Sequence, residues 1–254
     1  MAVRAAARGP MKHSTAIIVL LACTLAATTA ARAQKSVVTT IARTPAPAQI
    51  LGAQHRESVE GALRATASGD LPRALDLLRP VIAFCDALLA EDRKLVSVAN
   101  EAEYTAFVSA SASGEPVDWV DMACPEAYDA HAFIDIERKD ADAAFIALHK
   151  AIRLAPYWAD PLAELGHLLN VTGKPAEGLA RYQAALALVE RQPGSGARHA
   201  LVLRGMGYSQ IELGDLDGAE QTYRKSLEVE PGNALAQREL EYISEQRKKK
   251  ATKP

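Results

Sequence analysis

The chain has 254 residues, of which 24% are charged and 5% aromatic, with 29 Lys+Arg against 31 Asp+Glu. That length holds one domain of ordinary size plus an extension, and the near-neutral, slightly acidic balance argues against nucleic acid as a partner. The scarcity of aromatics, the dominance of alanine and leucine and the lack of any long alternating run favour close-packed helices over a sandwich or barrel.

Residues 1–33 read as a separate segment. Arg4, Arg8 and Lys12 make a positive start, Ala16 to Thr28 is an apolar run, and Ala31-Arg32-Ala33 is a small-x-small site before Gln34. This is the grammar of a secretory signal, too short and weakly flanked for a membrane span. Leu20-Leu21-Ala22-Cys23 also resembles the lipobox of bacterial lipoproteins, in which Cys23 would be acylated. The apolar run continues past Cys23, which fits cleavage at Ala33 better. Loss of the leader takes away four cations and no acids, leaving a net charge of about −6. The expectation is an exported protein of the periplasm, at a membrane only if Cys23 is lipidated. Residues 34–52 form a linker stiffened by Pro45 and Pro47.

Residues 53–124 read as a degenerate helical region. Gly69-Asp70 makes a turn, Pro72 lies just inside the next helix, and Ala74 and Leu78 follow on one stripe. Pro80 is expected to interrupt that helix. Val81 to Ala110 holds one or two further helices, Ser109 to Pro116 a loop, and Trp119 to Cys124 an apolar stretch without a clear period.

From Pro125 onward a period emerges. In 125–158 the second half is regular, with Ala144, Leu148, Ala151, Ile152 and Pro156, while Lys139-Asp140 stands where a glycine turn is expected. In 159–192, Leu162, Leu165, Gly166 and Leu169 mark one helix, Gly173-Lys174-Pro175 the turn, and Gly178, Tyr182, Ala185 and Leu186 the next. Ala144 to Gly178 is 34 residues, but Gly166 to Gly207 is 41, an excess assigned to a longer loop at Arg191–Ala197. In 200–233, Leu203, Met206 and Gly207 lie on one stripe, Gly214-Asp215 turns the chain, and Ala219, Tyr223, Ser226 and Leu227 follow before Pro231. Small residues at Gly207 and Ala219 let two helices cross closely, and Tyr223 fills the gap above them.

Met206-Gly207, Ala219, Tyr223 and Pro231 resemble the fingerprint of the tetratricopeptide repeat family. The resemblance implies an all-α, right-handed solenoid of helix hairpins. Residues 234–254 supply a capping helix, with Leu235, Leu240 and Ile243 as its stripe, and a basic tail at Arg247–Lys250 read as a solvated helix end.

The resemblance also implies that first helices line a concave groove. Its exposed residues would be Glu126, Asp129, Phe133, Glu164, His167, Asn170, Arg204, Tyr208 and Glu212. Of these, Phe133, Glu164, His167, Asn170, Arg204, Tyr208 and Glu212 are the candidate partner contacts, suited to an extended peptide or a helix. Family members that clamp a carboxylate do so with several Lys, Arg and Asn, for which only Arg204 and Asn170 qualify here. Cys85 and Cys124 can pair in an oxidising compartment or remain two buried thiols. No nucleophile motif, phosphate loop or metal-ligand spacing occurs, so no catalytic residue, metal or cofactor is expected. An enzyme built on Trp119, Cys124 and His131 would need convergent polar groups in a deep pocket there. The leading expectation is a non-catalytic scaffold with a protein or peptide partner; the alternative is a lipid-anchored subunit of an envelope assembly.

Overall fold

One spacing recurs through the helices: a small buried residue is followed sixteen positions later by a large buried one. The pairs are Ala62 and Leu78, Ala132 and Leu148, Gly166 and Tyr182, and Gly207 and Tyr223. Each pair spans a hairpin. The computed structural model describes residues 50–111, 117–191 and 195–251. The leader with Cys23 and Ala33, the linker as far as Gln49, residues 112–116 and residues 192–194 lie outside the described residues.

The helices are α1 (Arg56–Ala67), α2 (Leu71–Leu89), α3 (Glu101–Ala110), α4 (Ala123–Glu137), α5 (Ala141–Leu154), α6 (Asp160–Val171), α7 (Pro175–Val189), α8 (Gly196–Glu212), α9 (Leu216–Val229) and α10 (Ala234–Ala251). Hairpins α1/α2, α4/α5, α6/α7 and α8/α9 stack in order, and α10 packs on α9. The result is an all-α solenoid.

Each hairpin turn is one left-handed residue followed by a helix start. Gly69, Gly173 and Gly214 have φ near 80°, a conformation that costs glycine nothing. Lys139 holds the same place at φ 62° and is the one non-glycine at positive φ among the described residues. Asp70, Asp140 and Asp215 then cap α2, α5 and α9, accepting from the backbone N–H of Arg73, Ala143 and Gly218.

Four sequence expectations are corrected. Pro80 does not end α2, which runs on to Leu89. Leu78, Val81 and Cys85 on either side of it are fully buried, so packing outweighs a penalty of about 3 kcal/mol for an interior proline. The slip in period is mostly helix rather than loop, since α8 has 17 residues against 12 in α6. In the cap, Ala236, Leu240 and Ile243 pack on α9, while Leu235 is left exposed. Arg247 bridges α10 to Glu220 and Asp217 of α9, so the basic run is not wholly solvated.

Between α2 and α4 the repeat is replaced by an insert. Strand β1 (Leu95–Val96) pairs in parallel with β2 (Asp118–Trp119), and Leu51 bridges to Val120. Asn100 caps α3 while Glu103 reaches back to the Ala99 and Asn100 groups, a reciprocal box. Cys85 and Cys124 form a disulfide that closes the insert, 39 residues apart, and joins α2 to the start of α4. Closing a loop of that length restricts the unfolded chain by about 4 kcal/mol in the chain-entropy model.

Tyr182 is wedged between Gly166 of its own hairpin and Gly205 of the next, where an added Cβ would fall well inside van der Waals contact with its ring. Gly205→Ala is expected to destabilise by roughly 1–3 kcal/mol through overpacking. Lys139→Gly is expected to stabilise by about 0.5–1 kcal/mol by relieving the left-handed backbone. Urea denaturation of both variants checks the opposite signs.

Candidate partner-binding groove

First helices α1, α4, α6 and α8 lie side by side, so the residues each turns away from its hairpin partner share one face. A cavity of about 540 Å3 opens on it. Its walls are Phe133 from α4, Glu164, His167 and Asn170 from α6, Arg204 and Tyr208 from α8, and Leu235 and Glu239 from α10. Phe133 and Tyr208 are 40% and 41% exposed, and Leu201 and Leu235 beside them are exposed as well. These apolar side chains share one concavity rather than being scattered singly over the surface.

Six of the seven candidate contacts therefore line one concavity; Glu212 lies a turn beyond it and accepts from the Tyr208 hydroxyl. Burial first, then that carboxylate, raises the Tyr208 phenol above its ordinary value. Two of the six are committed within the stack. Asn170 is only 7% exposed. Its amide donates to Ser209 Oγ at 2.9 Å, and the Ser209 hydroxyl returns a bond to Oδ1 at 3.0 Å, tying α6 to α8. Arg204 Nη1 donates to Glu230 at 2.5 Å, and the pair holds Glu230 below the usual carboxylate range. The two residues that could have clamped a carboxylate are thus already occupied.

A second cavity of about 480 Å3, which the sequence did not reveal, sits at the other end of this face. Arg56 and Glu60 of α1, Trp119 of β2, Asp121 and Met122 of the following turn, and Glu126 of α4 line it. Arg56 Nε donates to Asp121 at 2.8 Å, while Asp121 Oδ1 accepts from Ala123 N–H at the start of α4. Glu60 stands four residues after Arg56, at the register position that Glu164 holds in α6 relative to Gly166. Aligning the small residues would have found it.

Between the cavities the face carries carboxylates held protonated more readily than usual. Burial, then Asp121 and Glu60, raises Glu126, with Arg56 opposing. Burial, then Glu164, Asp160 and Glu126, raises Asp129 well above the carboxylate range, and its Oδ1 is buried without a hydrogen-bond partner. Burial also raises Glu164; His167 opposes and Asp160 adds to the rise.

Trp119, Cys124 and His131 do not converge. Trp119 packs against Tyr104 and Phe107, Cys124 is in the disulfide, and His131 Nδ1 meets Asp135 at 2.8 Å one turn along α4. Among the described residues no group of three His, Cys, Asp or Glu could hold a metal ion.

Residues 159–229, which span α6 to α9, match the family model described as Tetratricopeptide repeat. No curated protein matches the chain. Among solved structures, the first TPR of Spaghetti (RPAP3) bound to HSP90 peptide SRMEEVD is similar at 21% identity, covering 50% of this chain and 95% of that one with a TM-score of 0.45. The NMR structure of the first TPR domain of the human RPAP3 protein is similar at 20% identity, covering 52% of this chain and 99% of that one with a TM-score of 0.46.

Asp129 binds its proton more tightly folded than unfolded, so its contribution to stability is present below the ordinary carboxylate pKa and is lost as pH rises through the raised one. Asp129→Asn is therefore expected to raise Tm by about 2–4 °C at neutral pH, the shift that roughly 1 kcal/mol produces at this size. The gain should vanish near pH 4, which calorimetry across that range checks.

Proposed function

We propose that the protein is an exported scaffold of the periplasm that binds a protein or peptide partner in the groove formed by α4, α6, α8 and α10. The observation that carries this reading is the exposed Phe133, Leu201, Tyr208 and Leu235 around one concavity on the inner face of a helical stack. A preformed surface of this kind lowers the ordering cost that a flexible segment meets on binding. The mechanism is non-covalent, with Phe133 and Tyr208 as apolar anchors and Glu164 and His167 as polar contacts. Arg204, Asn170 and Glu212 position these walls, through Glu230, Ser209 and Tyr208 respectively.

Export is supported by the leader's charge and apolar pattern and by the Cys85–Cys124 disulfide, a bond that persists in oxidising compartments. The alternative is a lipid-anchored subunit of an envelope assembly, and the specific observation favouring it is Cys23 after Leu20-Leu21-Ala22.

Two measurements test this. A photo-crosslinking residue at position 133 or 208 is expected to capture a partner in envelope-intact cells, and one at the exposed Ile146 of α5 is not. Equal capture from all three positions would remove the groove assignment. Intact mass of the mature chain is expected to start at Gln34; a diacylglyceryl adduct on Cys23 would replace periplasmic release with anchoring.

A further inference from the structure

In both cavities acids outnumber cations. Glu60, Asp121 and Glu126 line the first, and Glu137, Glu164 and Glu239 the second. The cations there already have acidic partners: Arg56 has Asp121 and Arg204 has Glu230. Arg198 is likewise taken by Asp160. Glu126, Asp129 and Glu164 have no such partner, only the weaker attraction of Arg56 to Glu126 and of His167 to Glu164. A buried carboxylate oxygen without a hydrogen bond, as at Asp129 Oδ1, leaves an unmet acceptor aimed among other acids. Low-dielectric walls focus such a field.

We propose that the occupant of this groove is a basic segment, an extended or helical stretch bearing Lys or Arg whose charges are met by Glu126, Asp129 and Glu164. This rests on the scaffold reading above and names the chemistry of the partner. One basic side chain enters the cavity of about 480 Å3. Its aliphatic stem lies along Trp119 and Met122, and its head reaches Glu60 and Glu126. Long basic side chains bury their stems on apolar surface while keeping the charge at a polar rim, and an indole face favours a cation further. Apolar residues of the same segment meet Phe133 and Tyr208 at the other cavity. An acidic segment is excluded on the same grounds, because no cation in the groove is left to receive it.

The purified chain, as the host matures it, is used to select dodecapeptides from a random displayed library. Enrichment in Lys and Arg is expected, with fluorescence anisotropy of the selected peptides showing affinity that falls as salt rises from about 0.05 to about 0.5 M. The triple variant Glu126→Gln, Asp129→Asn, Glu164→Gln is expected to weaken binding about tenfold. The outer-face control Asp142→Asn, Glu177→Gln should leave it unchanged. Circular dichroism confirms that both variants fold. Neutral or acidic winners whose binding is lost in Phe133→Ala, Tyr208→Ala would overturn the charge proposal and leave the groove standing. Basic winners indifferent to the triple variant would overturn it as well. A library that yields no enrichment over a bare surface would sink both the groove and its charge.

Discussion

The contact on which the better-formed half of the stack depends is a tyrosine ring laid against a glycine. Tyr223 covers Gly207, and a Cβ there would come within 2.6 Å of the ring. Tyr182 covers Gly166 and also reaches Gly205 of the following hairpin. One ring therefore fixes both the crossing within a repeat and the spacing between repeats. Burial raises the pKa of both phenols, so each ring behaves as a large neutral wedge. The distance between α6 and α8 follows from it, and with that distance the width of the groove into which Phe133 and Tyr208 project.

The other half solves the same problem with different parts. Ala62 under Leu78 and Ala132 under Leu148 keep the small-under-large arrangement with a smaller wedge. What is missing in ring volume is supplied by links that a plain repeat does not have. The disulfide ties α2 to α4. Asp86 accepts from Tyr128 and from Lys150, so one carboxylate of α2 holds both α4 and α5. Ser97 N–H donates to the Leu154 carbonyl at the end of α5, which seats the insert against the hairpin. The insert in turn brings Trp119 and Met122 over α1 and α4 and so creates the first cavity. Departure from the repeat and gain of a pocket are the same structural event.

The physical reasons for what sequence could and could not show are local. Turn glycines, helix-capping aspartates and the Gly207–Tyr223 pair act within a few residues or one hairpin, and their spacing is visible in the chain. The pairing of Cys85 with Cys124 is not, because it depends on where α4 lands after an irregular insert. Pro80 misled because local backbone chemistry was weighed without the burial of Leu78 and Val81 around it. Asn170 and Arg204 read as presented side chains because their position on a first helix was visible, whereas Ser209 on α8 and Glu230 just past the end of α9, which occupy them, are distant in sequence. The short strands β1 and β2 are two residues each, below any periodic signal. The reciprocal box of Asn100 and Glu103 was legible in principle, as an acceptor followed three residues later by Glu.

The distribution of carboxylates separates structure from function. Where an acid serves the fold it has a partner: Asp135 meets His131, Asp121 meets Arg56, and Glu220 meets Arg224 and Arg247. Glu220 and Glu230 accordingly ionise more readily than free carboxylates. On the inner face the direction reverses, and Glu126, Asp129 and Glu164 ionise less readily. Unpaired acids held partly out of water oppose folding at neutral pH. These acids share a face with the exposed Phe133 and Tyr208, and the proposed basic occupant would offset their cost. A cation arriving from outside would favour the ionised form of all three, so binding of the proposed basic segment would add stability.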